Sequence, residues 1–376
     1  MRASIIILIL VFVSFYSHAQ EHQKIINEDQ NSSYATTDTV TIQKNVQLIG
    51  VPIVFYSPET TLALGGGGQF FFMKKQNDFN SRFSTMLCAV MYTLRNQFIV
   101  EAQPKIFLQK GLYFLDGHFQ FRIYPNLFWG IGGNTPESNE EDYDQTSLLL
   151  RAALLKRIPP YLNFGLEFMY QDIDITEVKE GGILDTEDIN GANGTDVRGV
   201  GFVFNVDKRD SDIAATRGIF LQFKGHFYSE SFGGSTNFYK YSIDLRKYFH
   251  LNEKDVFAAQ LYNELTFGNP PFQMLAWYGG GERGRGYFKG RYMDKNLYLA
   301  QFEYRKQFFP RTKGVAFITF GEVAENVEDY FKEFRFSGGI GLRWQIKKDN
   351  PSLIRFDIGV TREGDSGFYV GVNEVF

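Results

Sequence analysis

Cysteine is almost missing from this 376-residue chain: Cys88 is the only one. One thiol makes no disulfide within the chain and offers no cluster of thiolates to a metal. Beyond the first 20 residues no apolar run is long enough for a helix to cross a bilayer. Histidine is scarce as well, and past the leader His22, His118, His226 and His250 have no partner at metal-ligand spacing. No Gly-x-Ser-x-Gly elbow occurs. The run Gly65 to Gly68 lacks the Lys-Ser/Thr and helix that would make it a phosphate loop, so it reads as a flexible or closely packed strand. These absences leave no catalytic, metal or cofactor constellation, and the chain is expected not to be an enzyme. Strong charge of one sign is also lacking: at a net −4, nothing in bulk electrostatics points to nucleic acid.

What is abundant is aromatic: 39 Phe and 21 Tyr, against 3 Trp, together with 37 Gly. That mixture suits alternating strands better than a helical core. The chain opens with Arg2, the apolar "SIIILILVFVSF" and the small-residue site "SHA", Ser17 to Ala19. Residues 1–19 therefore read as a cleaved signal peptide, with no following cysteine for a lipid anchor. Residues 20–48 are polar and read as an N-terminal linker. No second domain is expected beside the segment 49–376.

That segment alternates throughout. "YLAQFEYRKQF" sets Tyr298, Ala300, Phe302, Tyr304 and Phe308 against Leu299, Gln301, Glu303, Arg305 and Gln307. "LDGHFQFRIY" sets Leu115, Phe119, Phe121 and Ile123 against Asp116, His118, Gln120 and Arg122. "FRFSGGIGLRWQI" and "LIRFDIGVT" repeat the pattern. A soluble sandwich also alternates. Here, however, the polar face carries mid-strand charges of both signs, such as Glu101, Glu167, Asp244, Arg246 and Arg343. An apolar outside with a charged inside is the pattern of a membrane barrel, the closed structure that satisfies the backbone in lipid without helices.

The fold class expected is all-β: a 16-stranded antiparallel transmembrane β-barrel. Its strands begin near Val51, Leu62, Ser81, Gln97, Gly111, Ser147, Leu162, Asp196, Gly218, Asn237, Asp255, Leu297, Gly314, Phe334, Ser352 and Gly367. Connections at one end are short, apart from "KRDSDIAATR"; those at the other are long and acidic. Short periplasmic turns and long outer loops are usual in such barrels. Asn193-Gly194-Thr195 matches a glycosylation sequon and reads as chance in so polar a loop.

The sixth outer connection holds "GGGERGRGYFKGRY", Gly279 to Tyr292, and the strand after it reads "QFEYR". "DKRDSDIAATRG", Asp207 to Gly218, lies between strands eight and nine; "FITFGEV", "GGIGLRW" and "IRFD" follow, and the last residue is Phe376. These motifs together resemble the BamA/TamA superfamily of outer-membrane assembly and translocation barrels, the bacterial surface antigen family. The resemblance covers about Gly50 to Phe376. It implies a sixth outer loop folded into the lumen, with Arg285, Gly286 and Tyr287 at its tip and Glu303 as the inner-wall partner. Asp357 is a second candidate partner and Arg283 a rival for Arg285. One departure stands out: where the family has an acidic residue in its Phe-x-Asp strand, this chain has Thr319.

The resemblance further implies a turn motif of Asp207, Arg209, Asp210, Arg217 and Gly218. It also implies an assembly signal in the last strand, "GFYVGVNEVF", formed by Phe368, Val370, Val372 and Phe376. It implies a seam between first and last strands that opens to lipid, and Pro52, Pro58 and Gly65 to Gly68 are expected to limit regular pairing in the first hairpin. Residues 20–48 are too few for a periplasmic POTRA domain, so a barrel-only member is expected. The expected location is the bacterial outer membrane. The expected partners are outer-membrane lipids, client outer-membrane proteins and a separate periplasmic accessory protein, with no nucleic acid. The alternative is a passive pore or a structural barrel working with another partner.

Overall fold

The computed structural model describes residues 46–72, 84–347 and 350–376. The leader, residues 20–45 of the linker and the "KQNDFN" turn lie outside the described residues. No described helix is long and apolar enough to cross a membrane. Sixteen strands close into one antiparallel barrel.

Eleven strands lead to the long sixth connection: β1 (Val46–Ser57), β2 (Thr61–Phe72), β3 (Ser84–Thr93), β4 (Phe98–Leu108), β5 (Tyr113–Phe128), β6 (Glu141–Ile158), β7 (Leu162–Val178), β8 (Thr195–Asp207), β9 (Gly218–Tyr228), β10 (Phe238–His250) and β11 (Asp255–Gly268). Inside that connection two three-residue strands, β12 (Ala276–Tyr278) and β13 (Tyr292–Asp294), form a small ribbon of their own. The barrel resumes with β14 (Asn296–Phe309), β15 (Thr312–Ala324), β16 (Arg335–Lys347), β17 (Asn350–Thr361) and β18 (Ser366–Val372). The ribbon was not foreseen, because three-residue strands carry too little alternation to be read.

The alternation does set the two faces. Phe168, Leu166 and Phe164 on β7 are exposed outward, whereas Glu167 between them is buried. Exposed apolar side chains on the outside and satisfied charges inside are what lipid and a polar lumen require.

Two expectations about the first hairpin are corrected. β1 starts at Val46, inside the segment read as linker, and Val46 pairs with Phe72. The β1–β2 ladder then runs unbroken from Val46↔Phe72 to Ser57↔Thr61, through Pro52↔Gly66 and the glycine run. A proline fits a ladder where its nitrogen points away from the partner strand, towards an edge. Two of the glycines are close-packed: a Cβ on Gly65 would lie 2.2 Å from the Val90 carbonyl oxygen of β3 and one on Gly67 2.9 Å from that of Cys88, whereas one on Gly66 would meet open space.

The irregular junction lies on the other side of β1. Among the described residues β1 meets β18 at a single register position, Tyr56↔Val370. By contrast all sixteen residues of β5 pair with β6.

Candidate functional site

The sixth connection doubles back because glycine permits it. Gly279, Gly284 and Gly286 have φ of 108°, 101° and 114°. This is a region that side chains with a Cβ avoid. The Gly279 amide donates to the Arg283 carbonyl (2.7 Å), and the Tyr287 amide to the Gly284 carbonyl (3.1 Å). At Gly286 closeness matters too. Its backbone lies against β17, where a Cβ on Gly359 would meet the Arg285 carbonyl oxygen at 2.6 Å.

This turn delivers Arg285, with 0% exposure, to two carboxylates of the inner wall. Its Nη2 donates to Glu303 Oε1 (2.6 Å) on β14 and its Nη1 to Asp357 Oδ2 (2.9 Å) on β17. The guanidinium also sits 3.5 Å over the Phe317 ring of β15. A planar fork can satisfy two acids and one aromatic face at once, which a lysine could not. The Arg285 Nε has no hydrogen-bond partner among the described residues. Arg283 goes elsewhere: it stacks 3.7 Å over Tyr262 on β11. Thr319 is fully buried on the same face, and its hydroxyl has no hydrogen-bond partner among the described residues.

The other tip residues are held by β18 and by the turn before it. The Gly286 amide donates to the Tyr369 hydroxyl (3.0 Å), and that hydroxyl donates to the Tyr287 carbonyl (3.3 Å). Tyr287 donates to Glu363 Oε2 (2.5 Å). Burial pushes the Tyr287 hydroxyl above its ordinary range, and Glu363 adds to that. Burial would raise Glu363 as well, yet the bonds from Tyr287 and Arg335 hold its carboxyl below the usual range.

Behind Arg285 the charges continue as a chain. Arg305 donates to Glu303 Oε2 from Nε (2.8 Å), and Arg343 Nη1 donates to Asp357 Oδ1 (2.6 Å). Both arginines also approach Glu374: Arg343 Nε at 2.7 Å and Arg305 Nε at 3.8 Å. Each buried acid therefore has at least two cations, the condition under which buried charges are tolerable. Sequence reasoning missed Arg305, Tyr369, Glu363 and Glu374 as partners. The inward phase of the alternation flagged the first two, but nothing local marked the others.

Glu374 is there because the chain leaves the sheet. Asn373 takes φ 62° and its amide donates to the Leu353 carbonyl (2.8 Å). Phe376, 5% exposed, then packs inside with Ala215, Tyr248 and Ala258. Arg305 Nη2 donates to its carbonyl oxygen (2.8 Å). This corrects the expectation that Phe376 continues the last strand beside Phe368, Val370 and Val372. Continuing the Tyr56↔Val370 register would set Glu374 opposite Pro52 and Phe376 opposite Gly50. The buried arginines offer Glu374 an ion pair that Pro52 cannot. Phe368 and Val372 do face outward, and the Phe368 ring lies 5.6 Å from that of Tyr56 across the seam.

The turn before β9 is compact. Arg209 forks onto Asp207 (2.9 and 2.8 Å), while Asp210 accepts from the amides of Thr216 (2.9 Å) and Arg217 (3.3 Å). Gly218 closes it at φ 113°. The Arg217 side chain is exposed.

The Omp85 superfamily domain matches residues 100–376 of this chain. Among solved structures the chain is similar to BamA from Haemophilus ducreyi lacking POTRA domains 1–3 (TM-score 0.62, 16% identity), covering 88% of this chain and 70% of that one. It is also similar to CdiB from Acinetobacter baumannii (TM-score 0.55, 15% identity; 88% of this chain, 60% of that one). CdiB from Escherichia coli is a third (TM-score 0.58, 12% identity; 89% and 64%). The chain thus spans less than two thirds of either CdiB. At these identities the likeness is one of fold. No curated protein matches the chain.

Proposed function

The chain belongs to the Omp85 superfamily, and from that premise we propose that it assists insertion, assembly or translocation of proteins or lipids at the bacterial outer membrane through the β1–β18 seam. The single register position at that seam, in a barrel whose other ladders are continuous over most of their length, is the observation that carries this reading. An edge with unpaired backbone groups is a template for another strand. On this reading residues 1–19 direct export and are removed. The loop tip fixes the inner wall beside the seam, client outer-membrane proteins engage β1, and a periplasmic accessory protein brings them. The barrel itself is not an enzyme.

The test is a disulfide across the seam. Tyr56→Cys and Val370→Cys, with Cys88→Ala, places two thiols at directly paired positions. In cells depleted of the native copy, the oxidised barrel is expected to leave outer-membrane protein levels as low as depletion does, and reductant to restore them. Full rescue by the locked barrel contradicts a lateral mechanism. Large, steady single-channel currents from the purified protein would favour the passive pore instead.

A further inference from the structure

The loop between β15 and β16, residues 325–334, folds down over the outside of the barrel. Tyr298 on β14 and Glu322 on β15 are register partners, and so share a face. It is the face opposite Leu297 and Leu299, which pack inward against Tyr278 and Tyr287. Glu322 therefore points to the outside, yet it is only 2% exposed. The loop covers it. Its carboxylate accepts three consecutive amides: Phe331 (2.7 Å), Lys332 (3.1 Å) and Glu333 (2.7 Å).

This clasp sets the aromatic side chains. Phe331 is held at φ 73°, a backbone conformation rare for a bulky residue. It remains 66% exposed. Its ring lies 5.6 Å from Tyr298 and 5.4 Å from Phe334. These three, with Ala300 and Phe320, line a shallow groove of about 250 Å³. From Phe308 near the other end of β14 up to Tyr298 is about the length that a tilted strand needs to cross the hydrocarbon. The groove thus opens at the upper edge of that layer. Lys332, exposed and paired with Asp329 (2.7 Å), stands beside it.

We infer that this groove docks an acyl chain of a membrane lipid. Its lining is aromatic and alanine, and it is continuous with the outward wall of Phe336, Ile340 and Leu342, all exposed. That wall is the one the barrel turns to hydrocarbon, so the occupant in reach is hydrocarbon too. A phenylalanine at positive φ, in a turn whose three consecutive amides donate to one buried carboxylate, marks a built surface. The inference rests on the membrane-barrel reading and is independent of the seam.

The test is lipid retention. The full-length barrel is reconstituted in vesicles of palmitoyl-oleoyl phosphatidylethanolamine, released from detergent and weighed by native mass spectrometry. Wild type is expected to carry one lipid, and F331A/F334A to lose that occupancy by roughly tenfold, as expected when two aromatic contacts go. E322A, which leaves the aromatic residues in place but opens the clasp, should also lower it. L166A, on the outward face of β7, should not. Equal retention by wild type and F331A/F334A overturns the inference, as does a wild-type barrel carrying no lipid. A co-purifying protein that F331A/F334A loses overturns it in favour of a protein partner.

Discussion

The wall formed by β5 to β8 and the side formed by β17, β18 and β1 are built on different principles. In the wall the strands are long, sixteen to eighteen residues in β5 to β7, and the ladders run nearly their whole length, with one register shift at Asp144/Gln145. Its inner face has a charge cluster of its own. Arg151 bridges Asp116 (2.7 Å) and Glu167 (2.8 Å), and Glu167 also meets His226 (2.7 Å). Every member of this cluster is on a strand, with His226 supplied by the neighbouring β9, whereas at its loop end the wall also packs Phe128 and Tyr143 against Leu184, Phe272 and Leu275. On the seam side β18 is seven residues long and meets β1 at one register position. There the inner face is tied together by parts that are not strands: the tip at Arg285 to Tyr287 and the tail at Glu374 to Phe376. Where the backbone ladder is short, side chains from a loop and a tail hold the wall's geometry. Such ties can be released without breaking a strand.

This contrast can be broken most strongly at Arg285. Arg285→Ala leaves Glu303 and Asp357 buried with one cation fewer, an imbalance that costs roughly 3–5 kcal/mol. The heat-shifted band in semi-native gels should collapse at a clearly lower temperature than in wild type. Glu374→Ala comes next. It removes a charged partner from Arg343 and Arg305, worth about 1.5–3 kcal/mol for a bonded charge, and should free the tail. Protease susceptibility of residues 373–376 is the readout, and an unchanged cleavage rate would show the tail is held by Phe376 alone. Tyr287→Phe removes the hydrogen bond to the partly exposed Glu363 carboxylate at the edge of the tip, and about 1.5 kcal/mol, the low end for a bond to a charge, is expected. Leu166→Ala on the lipid-facing side of the wall lies outside all of these networks. It should shift the gel transition by less than about 0.5 kcal/mol.

The barrel was legible because alternation is a local signal. Fourteen or so residues such as "YLAQFEYRKQF" and its flanks fix both the strand and its faces. The strand count and the inward phase of Glu303, Arg343 and Asp357 followed from that alone. The tip was legible through its motif, and the structure brings Arg285, not Arg283, to Glu303 and Asp357. What escaped were the places where a distant charge or a close contact decides the backbone. "GVNEVF" reads as a strand to its end, yet Glu374 meets Arg343, thirty-one residues away, and the strand stops at Val372. Glu322 looks like a misplaced polar residue on an outward face until the loop that covers it is known. The glycines of β2 read both as close packing and as a weakness in pairing; Gly65 and Gly67 do pack closely on β3, and the weakness is absent because the β1–β2 ladder runs through them unbroken.

Amide hydrogen exchange on the barrel reconstituted in lipid tests the central claim most directly, because it compares the two sides in one experiment. Amides of β18 and of the β1 edge from Gly50 to Tyr56 are expected to exchange much faster than those of β5 and β6. In Arg285→Ala the exchange of β18 should accelerate further while that of β6 stays the same. Equal protection of β18 and β6, or an acceleration that Arg285→Ala spreads evenly around the barrel, would contradict the account.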